Sequence, residues 1–559
     1  MRYIIVGGVA GGASTAARLR RLDEHAEIIL FEKGTYISYA NCGLPYYIGD
    51  IITDRNQLFV QTAASFKERF NIDARVMHEV TGIFPDTKNV QIKNLKTNEA
   101  YELSYDKLVL SPGAEPIRPP LDGINSEGVF TLRNVVDTDR IKAYTNQFPN
   151  GKAVIIGGGF IGLDMAENLH HLGMQVTIIE MGNQILAPVD FPIAAIAQQH
   201  IRSKGIDLRL KTTVTGFERN ENGLKVFMKD QMPVDADIVI LSIGVKADTR
   251  LATAAGLVLG SAKAILVNDY LQTSNPDIYA LGDAIEFINP ITRNSMPTYL
   301  AGPANKQGRI CANNIVLGNK HKYNGSINTA IVKIFDLTVA VAGVASKHLT
   351  AAKIEHLVST THSGSHAGYY PGSEQMSIQI NFSPIGGQLL GAQIIGTDGV
   401  DKRIDTLSSV IQRGSTIQEL TEFEHAYAPP YSSAKDPVNM AGFVAENIMQ
   451  HRLKVVPWSA VRDIKEEDVL IDVRSALEFI SGNIPGSINI PIDELRGRLS
   501  ELDKEKNIYI YCQIGLRGYL AQRILLQNGY EQVLNISGGY KLWSACEEES
   551  NVFEVVSIQ

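Results

Sequence analysis

The chain has 559 residues, 44% of them hydrophobic, a formal net charge of -8 and four cysteines. That length exceeds what one hydrophobic core serves and predicts three or four domains at roughly 100–200 residues each, while the acidic balance, with no block of consecutive lysine or arginine, excludes nucleic acid as a partner. No apolar run approaches the roughly 20 residues that span a bilayer, the start lacks the order of a signal peptide, and Cys42, Cys311, Cys512 and Cys546 form neither C-x-x-C nor a zinc-ligand spacing, so a cytoplasmic chain without membrane or metal is expected.

Residues 2–7 form an apolar strand running into Gly7-Gly8-Val9-Ala10-Gly11-Gly12, with an Ala-rich helix to about Leu22 and a second strand at Glu27–Phe31. Glu32 ends that strand, where an acid for a ribose belongs, but Val9 takes the place of the dinucleotide fingerprint's second glycine. Ten residues on, Ser38-Tyr-Ala-Asn41-Cys42-Gly-Leu-Pro carries a cysteine with no partner at Cys-x4-Cys spacing. Its sulfur can cycle only through a mixed disulfide, a persulfide or a sulfenic acid.

The same grammar returns at Ala153–Ile156, with Gly157-x-Gly159-x-x-Gly162, a helix through Leu172 and a strand Gln175–Ile179 ending at Glu180. Here the full fingerprint is present: the glycines allow a tight turn and close approach of a pyrophosphate to a helix N-terminus, and Glu180 suits a ribose diol. An acid there with no arginine following predicts NADH over NADPH. Beyond residue 325 the chain turns strand-rich, at Ala330–Phe335, Ser377–Phe382 and Leu389–Ile395, with helical patterns around 401–413 and 437–450, an α+β arrangement. The pattern breaks near Gln450-His451-Arg452, and after Pro457 a compact α/β pattern follows, with strands at Val469–Val473, Ile508–Tyr511 and Val533–Ile536 and a helix after Arg517.

Three further segments, Lys107-Leu-Val-Leu-Ser-Pro-Gly-Ala114, Leu241-Ser-Ile-Gly244 and Thr273-Ser-Asn-Pro-Asp-Ile-Tyr-Ala-Leu-Gly-Asp283, complete a resemblance to the FAD-dependent pyridine nucleotide-disulfide reductase family over about residues 1–450. The resemblance implies FAD on Gly7, Val9, Ala10, Gly11, Gly12, Glu32, Lys33, Ser111, Pro112, Gly113 and Asp283. It implies NADH on Gly157, Gly159, Phe160, Ile161, Gly162, Glu180 and Gly244. The segment around Cys42 resembles that of coenzyme A-disulfide reductases, a branch shared with single-cysteine NADH oxidases and peroxidases. That branch implies Cys42 as nucleophile and coenzyme A held by Ser14, Arg18, Arg21, Ser38, Asn41, Asn305 and Lys435, of which Ser14, Arg18 and Arg21 share one helix face by spacing. It also implies a homodimer in which Tyr369, next to the ambiguous Tyr370, and Tyr427 reach the partner's cysteine and assist the leaving thiolate.

The tail, with Asp472-Val-Arg474, Glu478-Phe, Gly482-x-Ile-Pro-Gly486 and Cys512-Gln-Ile-Gly-Leu-Arg517, resembles the rhodanese family over roughly residues 455–548. Cys512 follows a strand and opens a loop into a helix, so backbone N–H groups are expected to converge on its sulfur, with Arg517 joining it in catalysis; Cys-x4-Arg is one residue short of a phosphatase loop. Cys311, on an apolar helical stretch, and Cys546, in an acidic tail, are given no chemistry. The expected fold is α/β: an FAD-binding domain (1–118 and 250–325) and an NADH-binding domain (119–249), both Rossmann-like, an α+β dimerisation domain (326–452) and an α/β rhodanese-like domain (455–559). The expected activity is NADH-dependent reduction of coenzyme A persulfide, polysulfide or coenzyme A disulfide, releasing hydrosulfide or coenzyme A; the alternatives are a single-cysteine NADH oxidase or peroxidase, or a flavin-linked sulfur carrier or redox sensor.

Overall fold

A computed structural model describes residues 1–221 and 223–556, with side chains described to residue 551. The chain divides into two compact units, one of residues 1–183 and 206–328, the other of 184–205 and 329 onward.

The first unit holds two parallel five-stranded sheets of the same plan. In one, the strands lie in the order Ile278–Ala280, Lys107–Leu110, Arg2–Val6, Glu27–Glu32 and Asp73–Val76; in the other, Val129–Thr131, Ile238–Leu241, Lys152–Ile156, Gln175–Ile179 and Asp207–Arg209. Strands covered on both faces have no polar side to show, which is why they read as unbroken apolar runs. In each sheet the strand that runs into the glycine turn, Arg2–Val6 or Lys152–Ile156, is central, and the chain leaves it at the point where the strand order reverses, the position at which open α/β sheets bind ligands. Helices Ala10–Leu22 and Phe160–His171 follow these turns. A Cβ on Gly12 would lie 1.9 Å from the Gly7 carbonyl oxygen, and one on Gly162 would lie 2.1 Å from that of Gly157, so small residues are what let each helix start so close to its strand.

In the second unit, an antiparallel sheet runs in the order Ala330–Ile334, Leu337–Gly343, Leu389–Gly396, Gln375–Phe382 and Leu357–Gly364. A parallel sheet runs Val455–Val456, Val533–Ile536, Ile508–Tyr511, Val469–Asp472 and Ile488–Asn489. Polar ties join the parts of this unit. Asp190 accepts hydrogen bonds from Gln379 and Gln393 side chains, both at 2.6 Å, and the His362 ring lies 2.7 Å from the Ser377 hydroxyl and 3.1 Å from the Gly538 carbonyl oxygen. The acidic run around Cys546 is not the solvated tail its composition suggests. It lies in helix Gly539–Val556, where Cys546 packs with Ala195 and Leu542 and the buried Glu549 accepts a 2.8 Å bond from Gln198. Three consecutive glutamates look solvated, but helical periodicity turns the third inward.

Burial pushes the His362 imidazole down to about 4, the nearby Lys541 charge adding to the effect and the Gly538 carbonyl opposing it. The ring's contribution is therefore complete above its ordinary value of 6.5 and is lost as pH falls through 4. The stability of this unit should fall by at most about 3 kcal/mol across that window, and His362→Gln should flatten the fall, read as the urea midpoint against pH.

Candidate functional site

The turn after the first strand is built by backbone bonds. Gly7 donates to the Phe31 carbonyl at 2.8 Å, Ser111 donates to Val6 at 2.8 Å, and Gly7 is required twice over, by its φ of +100° and because a side chain there would meet the Ser111 carbonyl. The second turn repeats this, with Gly157 on Ile179 and Ser242 on Ile156, both at 2.8 Å. Glu32 then accepts from the N–H groups of Gly8 at 2.8 Å and Gly34 at 2.7 Å, and Glu180 from those of Gly158 at 2.8 Å and Gly182 at 2.7 Å. Each carboxylate is fixed at its strand end and keeps lone pairs for a further donor, as a ribose diol requires.

Val9 does not break the first turn. It sits at the N-cap of its helix at φ -101°, ψ -155°, extended backbone open to any residue, and Gly159 caps the second helix at φ -82°, ψ -176°. Neither cap side chain bonds the helix, so the first-turn N–H groups face outward, and a Cβ at Gly159 would meet nothing within 4 Å. Both helix ends fit a pyrophosphate.

A cleft of about 420 Å³ opens over the first turn, lined by Gly7, Val9, Ala10, Gly11, Glu32, Lys33, Ser111, Pro112, Gly113 and Asp283 among others. It therefore gathers every residue expected to hold FAD except Gly12, which sits beneath the turn. Tyr39, Arg133 and Asp137 also line it and were not read from the sequence; nothing in their local spacing marks them. Asp283 is pushed up by burial, with Arg133 drawing it back.

Asn41 lines the same cleft, and its side-chain oxygen is buried without a partner. Cys42 follows it in a short helical turn, Asn41–Gly43, and is the one exposed cysteine of the four. Its walls still withdraw enough water to push the thiol up, and the carboxylates of Asp164 and Asp283 add to the rise. Asp164, on the second fingerprint helix, is itself raised to about 7, first by burial and then by Glu167, with a hydrogen bond from Tyr46 opposing. The sequence reading passed over it as an ordinary helix residue.

Of the residues expected to hold coenzyme A, Ser14 donates to the Asn305 side-chain oxygen, Arg18 bonds Asn313 at 2.9 Å, and Arg21 is exposed on the same helix. Ser38 is tied by its N–H to the Gly8 carbonyl at 2.8 Å. Lys435, in the second unit, is exposed. In that unit the hydroxyls of Tyr369 and Tyr427 meet at 2.8 Å on exposed side chains, whereas Tyr370 turns to the His366 ring.

Cys512 is fully buried, its sulfur accepting a 3.1 Å bond from the Gly515 N–H. Beside the loop Asp472 and Arg474 form a buried ion pair at 2.7 Å, and Arg474 also reaches the Gln513 side chain at 3.1 Å. Arg517 meets Glu478 through two bonds of 2.6 and 2.7 Å.

The family model for pyridine nucleotide-disulphide oxidoreductases matches residues 1–305, more than half the chain. The chain belongs to that family. Its dimerisation-domain model matches residues 329–437, and the rhodanese-like model matches 459–546. A coenzyme A disulfide reductase of Staphylococcus haemolyticus is 38% identical over 448 residues, 80% of this chain and all of that protein. The crystal structure of reduced Bacillus anthracis CoADR-RHD is 47% identical with a TM-score of 0.96, covering 98% of each chain. An NAD-dependent persulfide reductase from A. fulgidus is 37% identical with a TM-score of 0.91, covering 97% of this chain and all of that one. FAD and NAD(H) are the cofactors of this family, and the two turns fit them.

Two outcomes follow for this oxidoreductase. Glu180→Arg should shift its preference from NADH toward NADPH, read as the ratio of kcat/KM. Asp164→Asn removes an anion beside Cys42, so the thiol should ionise more readily; alkylation of the flavin-loaded protein at pH 8 should quicken roughly threefold, and an unchanged rate would separate Asp164 from the cysteine.

Proposed function

We propose that the chain is an NADH-dependent flavoprotein that reduces the sulfur–sulfur bond of coenzyme A persulfide, polysulfide or coenzyme A disulfide. The observation that carries this reading is the single exposed cysteine, Cys42, next to a residue lining the cleft and within reach of the Asp283 charge, with every other cysteine buried. The names of the relatives support both ends of the class, coenzyme A disulfide and persulfide.

When bound, FAD supplies the two-electron exchange between NADH and the Cys42 sulfur. The Cys42 thiolate attacks the substrate's sulfur–sulfur bond, forms a mixed disulfide with coenzyme A and expels hydrosulfide from a persulfide, or the second coenzyme A thiolate from a disulfide. Two electrons then return the cysteine to its thiolate and free coenzyme A. Ser14, Arg18, Arg21, Ser38, Asn41, Asn305 and Lys435 are proposed to hold the coenzyme A body, with Asn41's unpartnered oxygen suited to an amide N–H of the arm. The exposed Tyr369–Tyr427 pair supports a homodimer in which each chain offers these hydroxyls to its partner's Cys42. Cys512 is proposed to carry sulfane sulfur as a persulfide, with Arg517 at its loop. The four-part division at residues 118, 249, 325 and 452 remains our domain reading, and free thiols without a disulfide support a cytoplasmic setting. No described helix is long and apolar enough to cross a membrane.

Steady-state NADH oxidation against a panel of sulfur oxidants tests the reading. Cys42→Ser should abolish turnover with every one while FAD stays bound and is still reduced by NADH. Turnover with peroxide alone would favour the oxidase or peroxidase, and none with any oxidant would favour a sensor.

A further inference from the structure

The mouth of the Cys512 loop combines two features that serve no part of NADH-driven reduction. The first is charge cancellation. Arg517 spends both terminal nitrogens on Glu478, which is held from behind by the Ser475 N–H at 3.0 Å and hydroxyl at 2.9 Å. Arg474 is matched in the same way by Asp472. Two arginines lie at the loop, and each has its own carboxylate. The Gly515 N–H points at the sulfur, and the Arg517 guanidinium, which also interacts with Cys512, is shared with Glu478 and so brings no unmatched charge.

The second is an apolar rim. Leu477 and Ile480 flank Glu478 on helix Ala476–Ile480 and are 78% and 77% exposed, and Leu516 and Leu520 flank Arg517 on helix Leu516–Gln527 and are 60% and 46% exposed. The Glu478–Arg517 pair joins these two helices, so the same two helices carry four exposed apolar side chains and one neutralised ion pair. A dianion arriving there would find no free cation and would lose its water to hydrocarbon. A sulfur chain on an organic thiol would lose little and gain contact.

Resting on the reading of Cys512 as a sulfur carrier, we propose that Glu478 sets donor choice at this loop: by neutralising Arg517 it admits persulfides and polysulfides carried on organic thiols and turns away thiosulfate. With a persulfide donor, the Cys512 thiolate attacks the terminal sulfur, the donor's sulfur–sulfur bond breaks with its electron pair leaving on the donor thiolate, and Cys512 holds the added sulfur as a persulfide. Thiosulfate would deliver the same sulfur and release sulfite, so the transfer is equal and the difference lies in what adjoins the transferred sulfur: a compact sulfonate in one donor, a hydrocarbon stem in the other, whose charged groups lie far from the loop mouth. Arg517 holds the Glu478 carboxyl down to about 2, which keeps the pair intact at any ordinary assay pH.

The test is sulfur transfer to cyanide by the full-length flavoprotein, with thiocyanate as the readout and glutathione persulfide or thiosulfate as donor. Wild type should favour the persulfide. Glu478→Gln frees the Arg517 charge and should raise the thiosulfate-to-persulfide ratio of kcat/KM about tenfold, the scale of one charge-assisted contact. Glu478→Gln with Arg517→Gln should return the ratio toward wild type, because no cation is left to unmask. Were Glu478 only a helix cap, its loss would lower both donors together and the double variant would restore nothing; that result, or a wild type that prefers thiosulfate, overturns the proposal. If mass spectrometry finds no persulfide on wild-type Cys512 with either donor, the carrier reading falls and this inference with it, whereas a persulfide with an unmoved ratio in Glu478→Gln defeats donor choice alone.

Discussion

A carboxylate gripped by two backbone N–H groups at the end of a parallel strand is the constraint on which the first unit depends. At Glu32 and again at Glu180 the same pair of bonds pins the turn to the strand that follows it. The grip fixes where the helix begins, and the helix start fixes where a pyrophosphate sits. Both turns obey one geometry and fit a dinucleotide on rigid backbone, and the loop that follows the first brings Asn41 to the cleft with Cys42 beside it.

This duplicated geometry was legible because it is written in local sequence. Glycines that must take positive φ or admit a close neighbour, apolar runs covered on both faces, and an acid at a set distance are all properties of short segments, and strands such as Gln175–Ile179 and Val533–Ile536 form as read. Val9 shows the limit of pattern reading. The fingerprint asks for glycine there, but the backbone is extended with negative φ, and a side chain costs the turn nothing. What escaped the sequence is what assembles across distance. Arg133 and Asp137 reach the cleft from a helix start over a hundred residues past the first turn, and Asp164 owes its raised value first to burial, which no local pattern announces, with Glu167 adding to it and Tyr46 opposing. The antiparallel hairpins of His78–Phe84, Asn89–Asn94 and Ala100–Ser104 also passed unread, since half-exposed strands carry mixed residues with weak alternation.

The second unit relies on polar ties more than on shape. Asp190 gathers two glutamines, and Arg403 pairs with Asp436 out of contact with water. The His362 ring reaches the Gly538 carbonyl, two residues before Tyr540, whose N–H donates to the carbonyl of Cys512 at 2.8 Å. The loop that holds one sulfur is thereby braced against a sheet outside its own fold. Buried polar bonds of this kind add little net stability when made and cost much when half of one is removed.

That asymmetry bears on what the final helix contributes. Gln198 and Glu549 are buried against one another, one on helix Phe191–Ser203 and one near the end of the chain. Removing helix Gly539–Val556 would strip the cover from the Gln198 amide and from the apolar surface of Ala195 and Phe191 beside it. The last helix is therefore a structural part of the unit that begins at residue 184, and a chain cut short before it would need another residue at position 198.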